Sequence, residues 1–311
     1  RVGLHVFRMR KLKIGLALGG GGARGAAHVG VLQVLHDNGI RFDHIAGSSA
    51  GATIGAMYAA KQDPYWMEKR FYQFMDSAVF KALGTDRMSD DHDPDSVFSQ
   101  FASSIRDQVV IMMARNRKSI IRREKLERCI DYLMPVKTFN ELNIPLEVVT
   151  ADLQTGQAVV YNSGDLIEAV TQSSSIPGFV PPLKKDDSLL VDGGIVSPTP
   201  LNYLRNHVDF TLACDISKRI SKPLRKMDII SISMRSEQVT NLALNKQILA
   251  QADFIIRPEV FGLHWSRFDN FERLIQNGRE AAEAIYDDLV REIKRHKRWG
   301  YKFKNWLKVK L

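Results

Sequence analysis

The chain has 311 residues, of which 44% are hydrophobic and 25% charged, so it can bury a large core and is too apolar to be disordered. No run approaches the roughly 18 uninterrupted apolar residues of a membrane-spanning helix. The net charge of +9 sits at the ends: residues 1–13 carry five cations and no acid, residues 291–311 carry nine cations and one acid, and 14–290 sum to −4. A mildly acidic body excludes a broad nucleic-acid-binding face and leaves the basic termini to meet an anionic surface. Cys129 and Cys214 stand alone, without the spacing of a disulfide framework or a zinc site, so a reducing, cytoplasmic setting is expected. The apolar run Ile14–Leu18 passes into glycines instead of a signal-peptide cleavage site, and Met9 is a candidate for the natural first residue.

In chain order, Ile14–Leu18 reads as a buried strand. Ala26–Asn38 follows as a helix with Val31, Leu32 and Leu35 on one face, stopped by Gly39. Ile45–Gly47 reads as a second strand, running into the small-residue helix Ala50–Ala60. Strand, helix, strand, helix in so short a span is the pattern of a parallel α/β sheet. Residues 63–135 read as a polar, irregular helical insertion or lid, with an acidic loop Ser89–Asp95 and a basic amphipathic stretch Arg106–Arg128. The acidic loop is expected to be solvated, because no second ligand cluster spaces with it. The basic stretch is either a lid or cavity wall, or a packed helix with a solvated face.

Beyond Pro135, Leu146–Ala151, Ala158–Tyr161, Leu189–Val191, Phe210–Ala213, Ile229–Ser233 and Phe254–Ile256 are candidate strands, and Phe271 to about Arg298 a helix with Ala282, Ile285, Leu289 and Ile293 on one stripe. The tail 299–311 alternates apolar residues with lysines at period two, so an extended conformation is expected. It reads as an edge strand, an interfacial arm on anionic membrane, or a loose tail. The organisation expected is a basic extension 1–13, one domain over 14–298, and a basic-aromatic arm 299–311.

Gly47-Ser48-Ser49-Ala50-Gly51 is a G-x-S-x-G placed between a strand and a helix. There a serine sits on a tight turn with its hydroxyl exposed, and the helix N-terminus favours developing negative charge. Gly19–Gly25 follows the first strand, and consecutive backbone N–H groups of such a run can converge on one anion. The same stretch satisfies G-x-G-x-x-G as Gly20, Gly22 and Gly25, with Asp43 placed like a ribose-binding carboxylate, so a dinucleotide-binding oxidoreductase is a rival reading. It leaves Ser49 unexplained, whereas an oxyanion hole serving Ser49 accounts for both glycine-rich turns. None of His28, His36, His44, His207 or His264 has a telling context as a base. Asp192, ending an apolar strand before Gly193-Gly194, is a better candidate if desolvation raises its pKa above the usual 3.9 or so.

Gly20-Gly21-Gly22-Ala23-Arg24-Gly25, Gly47-Ser48-Ser49-Ala50-Gly51 and Asp192-Gly193-Gly194 resemble, in order and spacing, the three signature blocks of the patatin-like phospholipases. Ser173–Pro182, Ala151–Gly156 and His28–Leu32 also resemble blocks of its bacterial members. The resemblance implies an α/β fold, a three-layer α/β/α sandwich akin to the catalytic domain of cytosolic phospholipase A2. It implies a lipid acyl hydrolase of phospholipase A or lysophospholipase type, with Ser49 as nucleophile, Asp192 as base, and the amides of Gly20, Gly21 and Gly22 as oxyanion hole. Arg24 would support the glycine loop or meet an anionic headgroup. No metal and no cofactor is implied; the partner is a lipid ester, with peripheral membrane contact through the arm. A non-catalytic scaffold of the same fold is the remaining alternative, weakened by the presence of both Ser49 and Asp192.

Overall fold

A computed structural model describes residues 11–83, 121–217, 219–220, 223–224, 227–260 and 270–309. The first strand, β1 (Ile14–Leu18), is followed by a 3-10 turn at Gly22–Gly25 and α1 (Ala26–Asp37). Then come β2 (His44–Ser48), α2 (Ala50–Lys61), α3 (Pro64–Asp76) and the short α4 (Ala78–Lys81). Next are α5 (Arg123–Leu133), β3 (Leu146–Asp152), β4 (Ala158–Tyr161) and α6 (Leu166–Ser173). The hairpin β5 (Leu183–Lys185) and β6 (Ser188–Asp192), then β7 (Phe210–Cys214), α7 (Ile229–Leu249), β8 (Phe254–Ile256) and α8 (Phe271–Val309) complete the order.

The architecture is a three-layer α/β/α sandwich, as the sequence implies. Its sheet has a parallel core, β3-β2-β1-β7-β8, with β4 and β6 antiparallel to β3 and β5 beyond β6. Side-chain size makes the layers unequal. On β1, Ile14, Leu16 and Leu18 point into the main core with Ile45 of β2 and Phe210 and Leu212 of β7. The alternate positions Ala17, Ala46 and Ala213 meet a smaller cluster holding Leu201, Leu204, Ile248 and Leu249 of the opposite layer. Period-two alternation thus separates large residues from small ones, and α7 lies close on the small side.

Three helices explain themselves from sequence. The first ten residues of α1 are buried, as are ten of the twelve residues of α2, so both are interior helices apolar on all sides. At the start of α3, Pro64 follows Asp63, whose carboxylate accepts from the Tyr65 and Trp66 amides. The long α8 crosses α1 so closely that a Cβ on Gly30 would lie 1.9 Å from the Ile275 carbonyl oxygen, and one on Gly278 2.1 Å from that of Ala27. Both crossing points require glycine. Arg279 fastens the same contact, donating to Gln33 and pairing with Glu68 of α3.

The register of β3 determines the site. β2 occupies its rungs Leu146–Val149, β6 its rungs Thr150–Asp152, and β4 spans Val148–Ala151, overlapping both. β4 therefore lies on one edge of β3, while β2 and β6 share the other, end to end. Ser48 is opposite Val149 and Asp192 opposite Thr150, on consecutive rungs.

Several expectations are corrected. Ile229–Ser233 begins the helix α7: Asp228 caps it by accepting from the Ser231 amide, and its isoleucines alternate without being strand residues. The segment 64–81 is regular helix rather than irregular chain. Residues 299–309 continue α8 as helix, so the extended conformation expected from the period-two pattern is not adopted. The acidic loop Ser89–Asp95, Arg106–Ile120 of the basic stretch, residues 1–10 and His264 lie outside the described residues.

Candidate active site

Ser49 stands at the turn from β2 to α2 with φ 54° and ψ −125°, a left-handed conformation costly for a side chain with a Cβ. Gly51 lets the turn press against β1, since a Cβ there would lie 2.0 Å from the Leu18 carbonyl oxygen. The turn is pinned from a third side by Ser173 of α6. Its hydroxyl donates to the Val149 carbonyl (2.6 Å) and accepts from the Ser49 amide (2.9 Å). Strain at the serine is thus maintained by three separate elements.

Asp192 reaches Ser49 because β2 and β6 end against each other on β3. The Ser49 side chain is close enough to the Asp192 carboxylate to influence its titration, and both residues are only 6% exposed. The Asp192 amide donates to the Ser175 carbonyl (3.0 Å), and its Oδ1 accepts from the Gly194 amide (2.7 Å). Burial pushes the carboxyl pKa up from 3.8 to about 6, against the lowering effect of the Ser49 side chain and the Gly194 amide. The value is that of a base usable near neutrality.

The glycine loop lies across from this pair: a Cβ on Gly20 would sit 3.1 Å from that of Ser49. Its three amides are not equivalent. The Gly20 N–H donates to the Pro198 carbonyl (3.0 Å), and the Gly19 N–H to that of Cys214 (3.2 Å). The Gly21 and Gly22 amides have no acceptor among the described hydrogen bonds. Both residues line the cleft that holds Ser49 and Asp192. Of the three amides expected from sequence to form an oxyanion hole, that of Gly20 is engaged by the Pro198 carbonyl in this structure.

Two side chains hold the loop. Arg24 donates from Nε to the Gly21 carbonyl (3.1 Å) and from Nη1 to that of Ile216 (3.1 Å). Burial lowers its pKa to about 10 although Asp215 opposes the effect. His28, wholly buried on α1, has Nε2 2.8 Å from the Gly19 carbonyl oxygen and Nδ1 3.0 Å from the Cys214 Sγ. A carbonyl can only accept, so Nε2 carries the proton and Nδ1 accepts from the Cys214 thiol. Burial depresses the His28 pKa to about 4 and raises that of Cys214, which keeps the chain of contacts neutral. Sequence reading treated His28 as an ordinary residue. The signal was its place in the first turn of the helix that follows the glycine loop.

Ser49 lines two cavities, one almost wholly apolar and one with polar groups in its wall. An apolar one of about 170 Å³ runs past Ile54 and Phe74 to Leu126, Ile130 and Leu133 of α5. The outer face of α5 exposes Glu124, Lys125, Glu127 and Arg128. In this described part of the basic stretch, cavity wall and solvated helix are two sides of one element. The other cavity, about 550 Å³, is a cleft holding Asp192, Arg24, Gly194 and Asp215, rimmed by α7.

Asp43 does not serve the glycine loop. It precedes β2, and its carboxylate accepts from the Ile14 amide at the start of β1, whereas the loop leaves the other end of that strand. A ribose-binding carboxylate belongs beside the loop, so this support for dinucleotide binding is lost. Also at that far end, His44 and His207 stack at 4.3 Å with 16° between their planes, beside Glu147. Both Nε2 atoms approach the same Glu147 Oε1, at 3.3 Å from His44 and 3.8 Å from His207. The trio is a polar contact joining β2 and β3 to the turn before β7.

A three-layer α/β/α domain whose strained serine, at a strand-to-helix turn, faces a glycine loop and a buried aspartate defines the class. The chain belongs to the patatin-like phospholipase family, whose model matches residues 16–205. It is 30% identical over 217 residues to the NTE family protein Rv1063c of Mycobacterium tuberculosis, covering 68% of this chain and 51% of that protein. It is 34% identical over 209 residues to the patatin-like phospholipase domain-containing protein ZK370.4 of Caenorhabditis elegans, covering 65% and 13%. Among solved structures, VipD from Legionella pneumophila aligns with a TM-score of 0.49 at 16% identity, covering 90% of this chain and 67% of that one. The chain spans about half the length of the mycobacterial relative. Among the described residues, no helix is long and apolar enough to cross a membrane.

Proposed function

We propose that the protein is a serine lipid acyl hydrolase that cleaves carboxylic esters through an acyl-Ser49 intermediate. The observation that carries this reading is Ser49, strained at its turn and beside a buried Asp192, where an apolar cavity meets a larger cleft with polar groups in its wall. The patatin-like relatives support it by family.

Asp192 accepts the proton as Ser49 Oγ attacks the ester carbonyl, and returns it to the leaving alcohol. Water then repeats the sequence on the acyl-enzyme. Negative charge on the carbonyl oxygen falls between the Gly21 and Gly22 amides and the N-terminus of α2, donors fixed before reaction begins. The acyl chain occupies the cavity past Ile54 and Leu126, and the headgroup lies in the cleft beside Arg24. Phospholipids and lysophospholipids are the substrate class that this division suits.

The test is labelling with a fluorophosphonate followed by mapping of the modified residue, alongside fatty-acid release from phospholipid. Label on Ser49, with release abolished in folded Ser49→Ala protein, is the expected result. Undiminished release by purified Ser49→Ala protein overturns the assignment. Binding of a nicotinamide dinucleotide without label revives the oxidoreductase reading.

A further inference from the structure

At the end of the sheet away from Ser49, three distant parts of the chain bring two imidazoles and a carboxylate together. His44 opens β2 opposite Gly15 of β1, Glu147 stands on β3 opposite Ala46 of β2, and His207 lies in the turn before β7. Glu147 Oε1 is 3.3 Å from His44 Nε2, 3.8 Å from His207 Nε2 and 3.5 Å from Asn162 Nδ2. His44 is 8% exposed and Glu147 5%, whereas His207 is an exposed residue. Among the described residues, no lysine or arginine pairs with Glu147. A carboxylate buried so deeply calls for a cation beside it.

The spacing is that of ligands and not of a tight ion pair. A charge-assisted N–H···O bond is about 2.7–2.9 Å long. Two atoms that each sit about 2.0–2.1 Å from one tetrahedral ion are about 3.3–3.4 Å apart. The three ligand atoms all lie within 4.8 Å of one another. Two imidazoles and one carboxylate are a donor set suited to zinc, with a fourth position left for water. A pocket of about 310 Å³ supplies that room: His44 and His207 line it together with Lys13, Asp43, Asn206 and Asp209. Asp43 and Asp209 each give one oxygen to a backbone amide beside the start of β1, those of Ile14 and Lys13. With Glu147 they make three carboxylates against Lys11 and Lys13, a balance that favours a bound cation.

We infer that His44, Glu147 and His207 bind a divalent transition metal of zinc type. His44 and Glu147, carried by neighbouring strands and buried, form the fixed half of the site. The His207 ring, stacked on that of His44 at 4.3 Å with 16° between their planes, swings about its side-chain bonds so that Nε2 meets the ion edge-on; its exposure leaves room for that movement. The bound ion ties β2 and β3 to the turn before β7 and braces the sheet at the end opposite the strained Ser49 turn. The inference is independent of the hydrolase reading.

The experiment uses the untagged full chain, dialysed against EDTA and then freed of the chelator. Zn²⁺ is added in competition with a chromophoric zinc indicator, and Co²⁺ is added separately for its visible spectrum. Wild type is expected to take up one Zn²⁺ per chain and to gain about 2–5 °C in melting temperature at saturation. Co²⁺ should give the intense visible absorption of a low-coordinate site with nitrogen and oxygen ligands. Glu147→Gln keeps the shape of the side chain and His207→Ala changes an exposed residue, so both should fold, which circular dichroism checks. Each should lose at least about tenfold in Zn²⁺ affinity, together with the gain in melting temperature. No uptake of Zn²⁺ by wild type overturns the inference and leaves Glu147 paired with the imidazoles alone. Uptake with equal affinity in both variants overturns it too, because the ion is then held by other histidines. Failure of Ser49 labelling would instead remove the hydrolase reading while leaving the metal titration valid.

Discussion

The imidazole of His28 holds the carbonyl of Gly19 at 2.8 Å, one residue before the glycine loop that lines the cleft with Ser49. The carbonyl and the following amide belong to one rigid peptide plane, so fixing Gly19 O also fixes the Gly20 N–H on Pro198, and Gly21 and Gly22 follow from an anchored base. On the proposed mechanism, His28 would position the oxyanion hole without touching substrate.

His28→Ala should lower kcat on a soluble ester by about 10- to 100-fold, a share of the 10²–10³ or so carried by one oxyanion donor, with KM nearly unchanged. His28→Gln, which retains a donor for Gly19, should recover part of the loss. A kcat equal to wild type in both variants would remove the positioning role.

Asp192 links activity and stability with opposite signs. Because its folded pKa is raised to about 6 from 3.8, kcat/KM should fall on the acid side with a midpoint near 6. The folded state holds the proton more tightly, so this residue favours folding below about pH 4 and its contribution is lost as pH rises through about 6. Asp192→Asn should therefore be inactive and, at pH 8, more stable by up to about 3 kcal/mol, with the difference closing toward pH 4. Denaturant titrations at the two pH values measure it. Equal stability differences at both would contradict the burial argument.

The positive φ of Ser49 predicts a trade of the same kind. Ser49→Gly removes the Cβ from a conformation costing about 1–3 kcal/mol, and should raise the melting temperature while eliminating hydrolysis. Calorimetry of Ser49→Gly beside Ser49→Ala separates relief of strain from loss of the hydroxyl, since alanine keeps the Cβ.

Leu126 on α5 lines the apolar cavity but touches neither Ser49 nor Asp192. Leu126→Trp should shorten the preferred acyl chain by filling the far end, leaving turnover of a short-chain ester within about twofold. A chain-length series of nitrophenyl esters reads this directly. An unchanged profile would place the acyl chain elsewhere.

Much of the core was legible because the strands of the parallel sheet are short apolar runs, and the helices α1 and α2 are runs of small and apolar residues. Ser49 and Asp192 were legible for a local reason: each sits at a strand end flanked by glycines. The misreadings share a cause. Ile229–Ser233 is rich in β-branched residues and 299–311 alternates apolar and polar ones, patterns that suit strands, whereas Asp228 caps a helix in the first case and α8 continues to Val309 in the second. Asp43 was placed by counting along the chain, and only the sheet shows that it stands at the wrong end of β1. The engagement of the Gly20 amide was beyond sequence reading, because its acceptor, Pro198, arrives from a distant part of the chain.

The end-to-end meeting of β2 and β6 on β3 has a consequence for how the site is assembled. Neither Ser48 nor Asp192 lies on a hairpin with the other; each is placed by separate pairing to β3, the strand common to both. The Ser49–Asp192 arrangement therefore cannot form in any partly folded state that lacks β3, and closing the loop between them is a long-range entropic cost met late in assembly. On the proposed function, regain of esterase activity on refolding should lag behind the recovery of helix signal and so report completion of the sheet.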